Sequence, residues 1–217
     1  MTSSLSPGPA ARHRRRRGHR RELVQRIEQP AACGLLQRLA DQFGVIFFLL
    51  EKLGAKLTKL KDLYQQGEFA SEQLVTVIGP RQRIIPNVRI LGPMRDYTQV
   101  ELSYTDGIYL GIDLPLRISG NHEATPGCTI MGPKGAITIN QGVIRAERHV
   151  HMSKDDMSYY GVADGDYMKL KIDGPCGVTF DRVKVRYHPK VVLEVHIDTD
   201  EGNACDLDSA TNMELFK

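Results

Sequence analysis

The sequence has no P-loop, no GxGxxG turn, no GxSxG elbow and no HExxH helix. It therefore shows none of the usual marks of phosphate cradles, dinucleotide folds, serine hydrolases or zinc proteases. There is no CxxC pair: Cys33, Cys128, Cys176 and Cys205 are scattered, as reduced thiols of an intracellular protein are, and a disulfide framework is not expected. Long hydrophobic runs are also missing. The most apolar stretch, residues 45–50, is far too short to span a bilayer. With no secretory signal in view, a soluble cytoplasmic protein without a membrane partner is expected. Acidic residues are missing from the first 21 positions, which hold seven arginines. The formal charge of +3 is thus set by one end, because the remaining chain has 22 basic and 26 acidic residues. A nucleic-acid-binding body carries its basic surface within the fold, and no nucleic-acid partner is expected here.

Tryptophan is absent, glycine and proline are frequent, and valine and isoleucine are common after residue 74. That mixture favours short strands joined by turns. Residues 1–21, rich in Ser, Pro and Arg, read as a disordered basic tail. Over residues 22–54 the apolar positions Leu23, Ile27, Leu35, Leu36, Leu39, Phe43, Ile46, Phe47 and Leu50 fall near helical spacing and predict a helical extension, broken at Pro30 and Gly34. Core packing and docking onto a partner shell or membrane surface are both open to it. After Asp62, runs such as Val75-Thr76-Val77-Ile78 and Val88-Arg89-Ile90-Leu91 end at Gly79-Pro80 and Gly92-Pro93. Strands this short, broken this regularly, predict a mainly β protein of barrels or sandwiches. Residues 76–84 are echoed by residues 129–137 as strand, Gly-Pro turn, basic residue and strand. Two related small β-barrel domains, about 55–120 and 121–217, are the economical reading.

The sharpest chemical feature is Arg148-His149-Val150-His151-Met152. Residues two apart on a strand share a face, so both imidazoles can reach one metal ion. In Glu194-Val195-His196-Ile197-Asp198 the same alternation sets His196 between two carboxylates, the kind of partner that orients a ligand imidazole. Three histidines from two strands suit zinc, with a fourth position left for substrate or water. His122 and His188 lie in turn-like sequence and read as ordinary surface residues. Arg95, just after a Gly-Pro turn, could present its fork to phosphate or carboxylate. Glu101, with Gln99 and Ser103 facing the same way, could ligate a metal or simply form a surface ion pair. Cys176 and Cys205 have no histidine nearby in sequence to make a nucleophile.

Six segments carry a resemblance. They are LTKLKDL at 57–63, VTVIGP at 75–80, VRILGPMRDYTQVELSYTDGIYLGI at 88–112, PLRISG at 115–120, IMGPKGAITINQGVIRAERHVHMS at 130–153 and VHIDTDEGNA at 195–204. In this order they resemble the PduL-type phosphate propanoyltransferases, the phosphotransacylases of bacterial microcompartments and of propanediol degradation. The resemblance implies an enzyme of two β-barrels that moves an acyl group, usually propanoyl, between coenzyme A and inorganic phosphate, with two zinc ions per chain. It implies that His149, His151 and His196 hold one metal and that Glu101 ligates the other. It also implies that Arg95 binds phosphate with Ser119 in the same pocket, and that Arg81, Arg89 and Asn203 contact coenzyme A. Coenzyme A brings its own thiol, so no protein nucleophile is needed, and the Lewis acidity of zinc would favour its thiolate. The resemblance further implies acyl-CoA and acyl phosphate as partners, with microcompartment shell or lumen proteins and a second copy of the chain as candidates.

One departure stands out. The family carries a second His-x-His upstream of LTKLKDL, where residues 36–44 here read LQRLADQFG and no histidine lies between His19 and His122. Three readings stay open: a one-metal site with altered activity, a non-catalytic relative kept for assembly, or a first 50 residues that are not the native start.

Overall fold

The computed structural model describes residues 57–217, together with the backbone of two short strands, β1 (Leu36–Arg38) and β2 (Gly44–Ile46). These two are strands where the apolar spacing predicts helix. Leu36–Arg38 pairs parallel to a strand at Glu194–Ile197, and Gly44–Ile46 pairs with two strands of another sheet. Short apolar runs fit either period, and long-range pairing decides between them. The rest of the expected extension and the basic tail lie outside the described residues.

The fold is mainly β, with the strands in two sheets curled into half-barrels. The first sheet contains β3 (Lys59–Asp62), β4 (Phe69–Ile78), β5 (Ile84–Gly92), β6 (Gln99–Glu101), β7 (Leu116–Arg117), β8 (Cys128–Gly132), β9 (Gly135–Ile139) and β10 (Val143–Ala146), together with β2. The second contains β11 (His149–Met152), β12 (Tyr167–Asp173), β13 (Val178–Tyr187), β14 (Glu194–Ile197) and β15 (Asn212–Phe216), together with β1. Strands β8 to β10, which sequence spacing assigns to the second unit, hydrogen-bond into the first sheet. The apolar clusters divide at the same place: one gathers buried residues from Val75 to Val143, the other from Val150 to Leu215.

Alternation explains the packing. In β12, Met168, Leu170 and Ile172 point inward while Lys169 and Lys171 face solvent, as expected of a sheet wet on one side. Each fully buried aliphatic side chain contributes about 1.5–3 kcal/mol relative to exposure.

The two sheets share one plan. The order β10-β6-β2-β5-β4-β8 in the first matches β1-β14-β11-β13-β12-β15 in the second. The senses match as well: parallel, antiparallel, parallel, antiparallel, antiparallel. At the same end of each plan stands a strand far in sequence from its neighbour, β10 beside β6 in one sheet and β1 beside β14 in the other. The sequence echo is not the trace of this repeat. Its two segments lie side by side in the first sheet, with Val77 paired to Ile130.

Three short helices follow three strands directly, and a side chain caps each start. Ser103 caps α1 (Tyr104–Leu110), Ser153 caps α2 (Lys154–Tyr160) and Asp198 caps α3 (Thr199–Ala204). Caps of this kind contribute about 1 kcal/mol, and here they also fix where β6, β11 and β14 end. Asp198, read in sequence as a neighbour of His196, serves this cap and accepts from Arg145 Nε on β10 at 2.9 Å. Arg148 reaches Glu201 at 2.7 Å, and Thr105 N on α1 donates to Asp200 on α3 at 2.8 Å. These contacts tie the two halves together beside β14.

Candidate metal centre

Strands β11 and β14 run antiparallel, with His149 opposite His196 and His151 opposite Glu194. Antiparallel register and two-residue alternation therefore bring three imidazoles to one spot. The His149 and His196 rings stack 4.7 Å apart and 3° from parallel. The His151 ring stands edge-on to both at 4.9 Å. One ring nitrogen from each lies within 4.8 Å of the others, and among the described residues this is the one cluster of three or more such side chains.

Hydrogen bonds assign the tautomers. His149 Nδ1 lies 2.8 Å from the Glu147 carbonyl oxygen, which only accepts, so Nδ1 carries the proton and Nε2 is free. His196 Nε2 lies 3.0 Å from Glu194 Oε2, so that nitrogen is the donor and Nδ1 is free. Glu194 is fully buried, and its Oε2 also accepts from Gln65 Nε2 at 2.6 Å. Burial, together with the neighbouring His196, drives His149 well below its ordinary pKa, and the same causes bring His151 to about 3. Both rings are neutral near pH 7, with lone pairs to offer. Three buried polar atoms here have no partner among the described residues: His151 Nδ1, Glu194 Oε1 and Gln65 Oε1. An orphaned buried group costs roughly 1–3 kcal/mol. Neutral imidazoles and orphaned atoms at one place fit a bound metal ion, and an all-imidazole set suits zinc.

Beside the triad lies a charged region. Arg95 Nη2 donates to Glu68 Oε1 at 2.7 Å and Nη1 to the Tyr97 hydroxyl at 3.2 Å. Burial alone would lower its pKa, but Tyr97, Glu68 and Glu101 outweigh that and hold it above the ordinary value. Burial pushes the Glu101 carboxyl up, against the opposing pull of His196, Gln99, Ser119 and Arg186. Arg186 sits opposite His151 in the parallel β11–β13 pair. Burial lowers its pKa, Glu101 opposes the shift and Arg95 adds to it. Glu101, Arg95 and Arg186 are thus within electrostatic reach of one another, Glu101 also of His196, and Arg186 of His149 and His151.

Gln99 organises the Glu101 side. It is fully buried. Its Nε2 donates to Glu101 Oε1 at 2.6 Å and to Ser119 Oγ at 2.8 Å, while its Oε1 accepts from Gly120 N at 2.8 Å. His122 Nε2 lies 3.0 Å from the same Oε1. His122 is therefore not the ordinary surface residue that its turn-like sequence suggests: it is half-buried and edge-on to Tyr97 at 4.9 Å. His188 is exposed, as expected, and Ser103 caps α1 rather than joining the Glu101 group.

The remaining sequence candidates stand apart from the triad. Arg81 Nη1 donates to the Ile108 carbonyl on α1 at 3.2 Å, and Asn203 is exposed on α3. These two helices touch through Thr105 and Asp200. A Cβ on Gly79 would collide with the Leu110 carbonyl, so glycine there lets the turn that carries Arg81 sit against the end of α1. Arg89 Nη1 donates to the Ser71 carbonyl at 2.6 Å on the first sheet. Sequence reasoning missed Gln65, Glu68, Tyr97 and Arg186, which join the site only through long-range pairing. The alternation of Arg186 with buried Val183 and Val185 was the one local signal.

The family model for phosphate propanoyltransferase matches residues 46–208. The phosphate propanoyltransferase of Planctopirus limnophila is 59% identical over 165 residues, covering 76% of this chain and 68% of that protein. That of Salmonella typhimurium is 44% identical over 157 residues, covering 72% and 74%. That of Citrobacter koseri is 44% identical over 187 residues, covering 84% and 86%. With most of its length matched, and with the sheets, the three-histidine cluster and the neighbouring arginines in place, the chain belongs to the phosphate propanoyltransferase family, a family of transferases.

Proposed function

We propose that this chain moves a short acyl group, propanoyl by family likeness, between coenzyme A and inorganic phosphate, with a zinc ion held by His149, His151 and His196. The observation that carries this reading is the triad itself: two buried imidazoles and one half-buried, two of the three held neutral, with orphaned polar atoms beside them and the Arg186 guanidinium within electrostatic reach. Zinc bound there would supply Lewis acidity to a thiol sulfur or a carbonyl oxygen.

The protein's own groups do the rest. Arg95 and Arg186 would receive the phosphate and balance its charge as the bond to the acyl carbon breaks. Ser119 adds a hydroxyl on the same side, and Glu68 holds the Arg95 fork in place through its 2.7 Å contact. Arg81, Arg89 and Asn203 would meet coenzyme A along the outer surface. Glu194, supported by Gln65, fixes the tautomer of His196. In the direction of thioester synthesis the acyl carbon–oxygen bond breaks and a carbon–sulfur bond forms. The thiol proton leaves with the released phosphate or the solvent. No protein nucleophile enters the balance.

Thioester cleavage that requires phosphate and yields acyl phosphate tests this reading. A second reading, a metal-binding assembly component without turnover, draws on Glu101 having no imidazole bonded to it among the described residues. It would be favoured by a folded, metal-bearing protein that turns over no short acyl-CoA. The family likeness also supports a place in a bacterial microcompartment, with shell proteins or a second copy as partners. No helix among the described residues is long and apolar enough to cross a membrane.

A further inference from the structure

The common plan of the two sheets assigns a counterpart to every residue of the triad. In the first sheet Val100 pairs with Val45 on one side and Val143 on the other. In the second, Val195 pairs with Val150 and Leu36. Laying Val100 on Val195 places Glu101 on His196 and Gln99 on Glu194. Ile46, paired with Gln99, then falls on His151, which is paired with Glu194. Two residues back, Gly44 falls on His149.

Side chains on β6 and β14 bear out the equivalence. Gln99 and Glu194 are both fully buried, and each bonds the residue two positions on: Gln99 to Glu101 at 2.6 Å, Glu194 to His196 at 3.0 Å. The two places differ in what they leave unsatisfied. The buried atoms without partners include His151 Nδ1 and Glu194 Oε1 at the triad, but none from Gln99, Glu101, Ser119 or His122. The triad has buried groups left for a ligand, whereas the Glu101 network leaves no buried atom unpartnered among the described residues. Neither glycine nor isoleucine can ligate a metal through its side chain.

The geometry points to one metal ion per chain, at the triad, with Gly44 and Ile46 standing at the register positions where two imidazoles would make a second site on Glu101. This rests on the metal reading above. It adds that the counterpart position has become a metal-free hydrogen-bonded network, and that two substitutions can convert it back.

The test is a count of zinc per full-length chain after stripping, reloading with excess zinc and desalting. One zinc is expected in the wild type and one in Glu101→Gln. The double variant Gly44→His/Ile46→His is expected to hold two, falling to one when Glu101→Gln is added. Two zinc ions in the wild type with one lost in Glu101→Gln would overturn the inference, whatever the double variant does. So would a double variant that keeps wild-type circular dichroism and binds only one. A wild type that binds no zinc would remove the functional reading itself, an outcome distinct from both.

Discussion

His149 and His196 face each other across the antiparallel β11–β14 pair, their rings stacked 4.7 Å apart. The stack is a product of register: a one-residue slip of either strand would turn an imidazole into the apolar core that Val150 and Val195 now fill. The site is therefore as rigid as the sheet that carries it.

His151 should be the cleanest ligand to remove. It is only half-buried, and its Nδ1 has no hydrogen-bond partner among the described residues. His151→Ala should weaken zinc binding by more than about 100-fold, the upper end of what supporting partners contribute, with little change in the unfolding midpoint. Competition with a zinc-chelating dye, set beside a urea titration, reads both.

Glu194 acts through His196. Glu194→Gln keeps the volume but removes the carboxylate that accepts from His196 and Gln65. Zinc affinity should fall by about 10–100-fold, and a cobalt-loaded sample should show an altered visible spectrum. Unchanged affinity and spectrum would show that Glu194 does not position the ring.

Much of this was legible in the sequence, for stated reasons. His149 and His151 share a face because strands alternate, and the inward-facing valines give that alternation away. The mainly β fold follows from the spacing of Gly-Pro turns. What was hidden depends on pairing between distant segments. Gln65 reaches Glu194 across 129 positions, and His122 reaches Gln99 across 23. Asp198 looked like a partner of His196, yet the helix that starts at Thr199 claims it as its cap. The helical spacing gave way at residues 36–38 and 44–46 because those short segments complete sheets, and a period does not record which neighbour a strand will find.

Arg95 separates charge from shape. Arg95→Lys keeps the charge and loses the fork, whereas Arg95→Ala loses both. With hydrogen bonds to a charged group contributing about 1.5–3 kcal/mol, the KM for phosphate should rise roughly 10–100-fold in Arg95→Ala and less in Arg95→Lys. The KM for acyl-CoA should move little. Initial rates over a phosphate series decide it.

The thiols should divide by burial. Burial raises Cys128 to about 12 and also raises Cys205, while Cys176 is exposed. A thiol with a raised pKa holds fewer thiolates at a given pH, and thiolate is the reactive form. Of these three, iodoacetamide at pH 8 should modify Cys176 first, with Cys128 protected until the protein unfolds. Peptide mapping by mass spectrometry reads the order.

The centre of the first core should be sensitive. Ile130 is fully buried and pairs with Val77 where the echoed hairpins meet. Ile130→Ala should cost about 2–5 kcal/mol, read as a fall in the urea midpoint with an unchanged slope.

The most direct measurement gives zinc-loaded full-length protein propanoyl-CoA and inorganic phosphate, and counts free thiol and acyl phosphate together. The expected result is thiol release that requires phosphate, equals acyl phosphate formed, and falls at least about 10-fold in Arg95→Ala. Thiol released without phosphate, or a folded and zinc-bearing protein that turns over no short acyl-CoA, would contradict it.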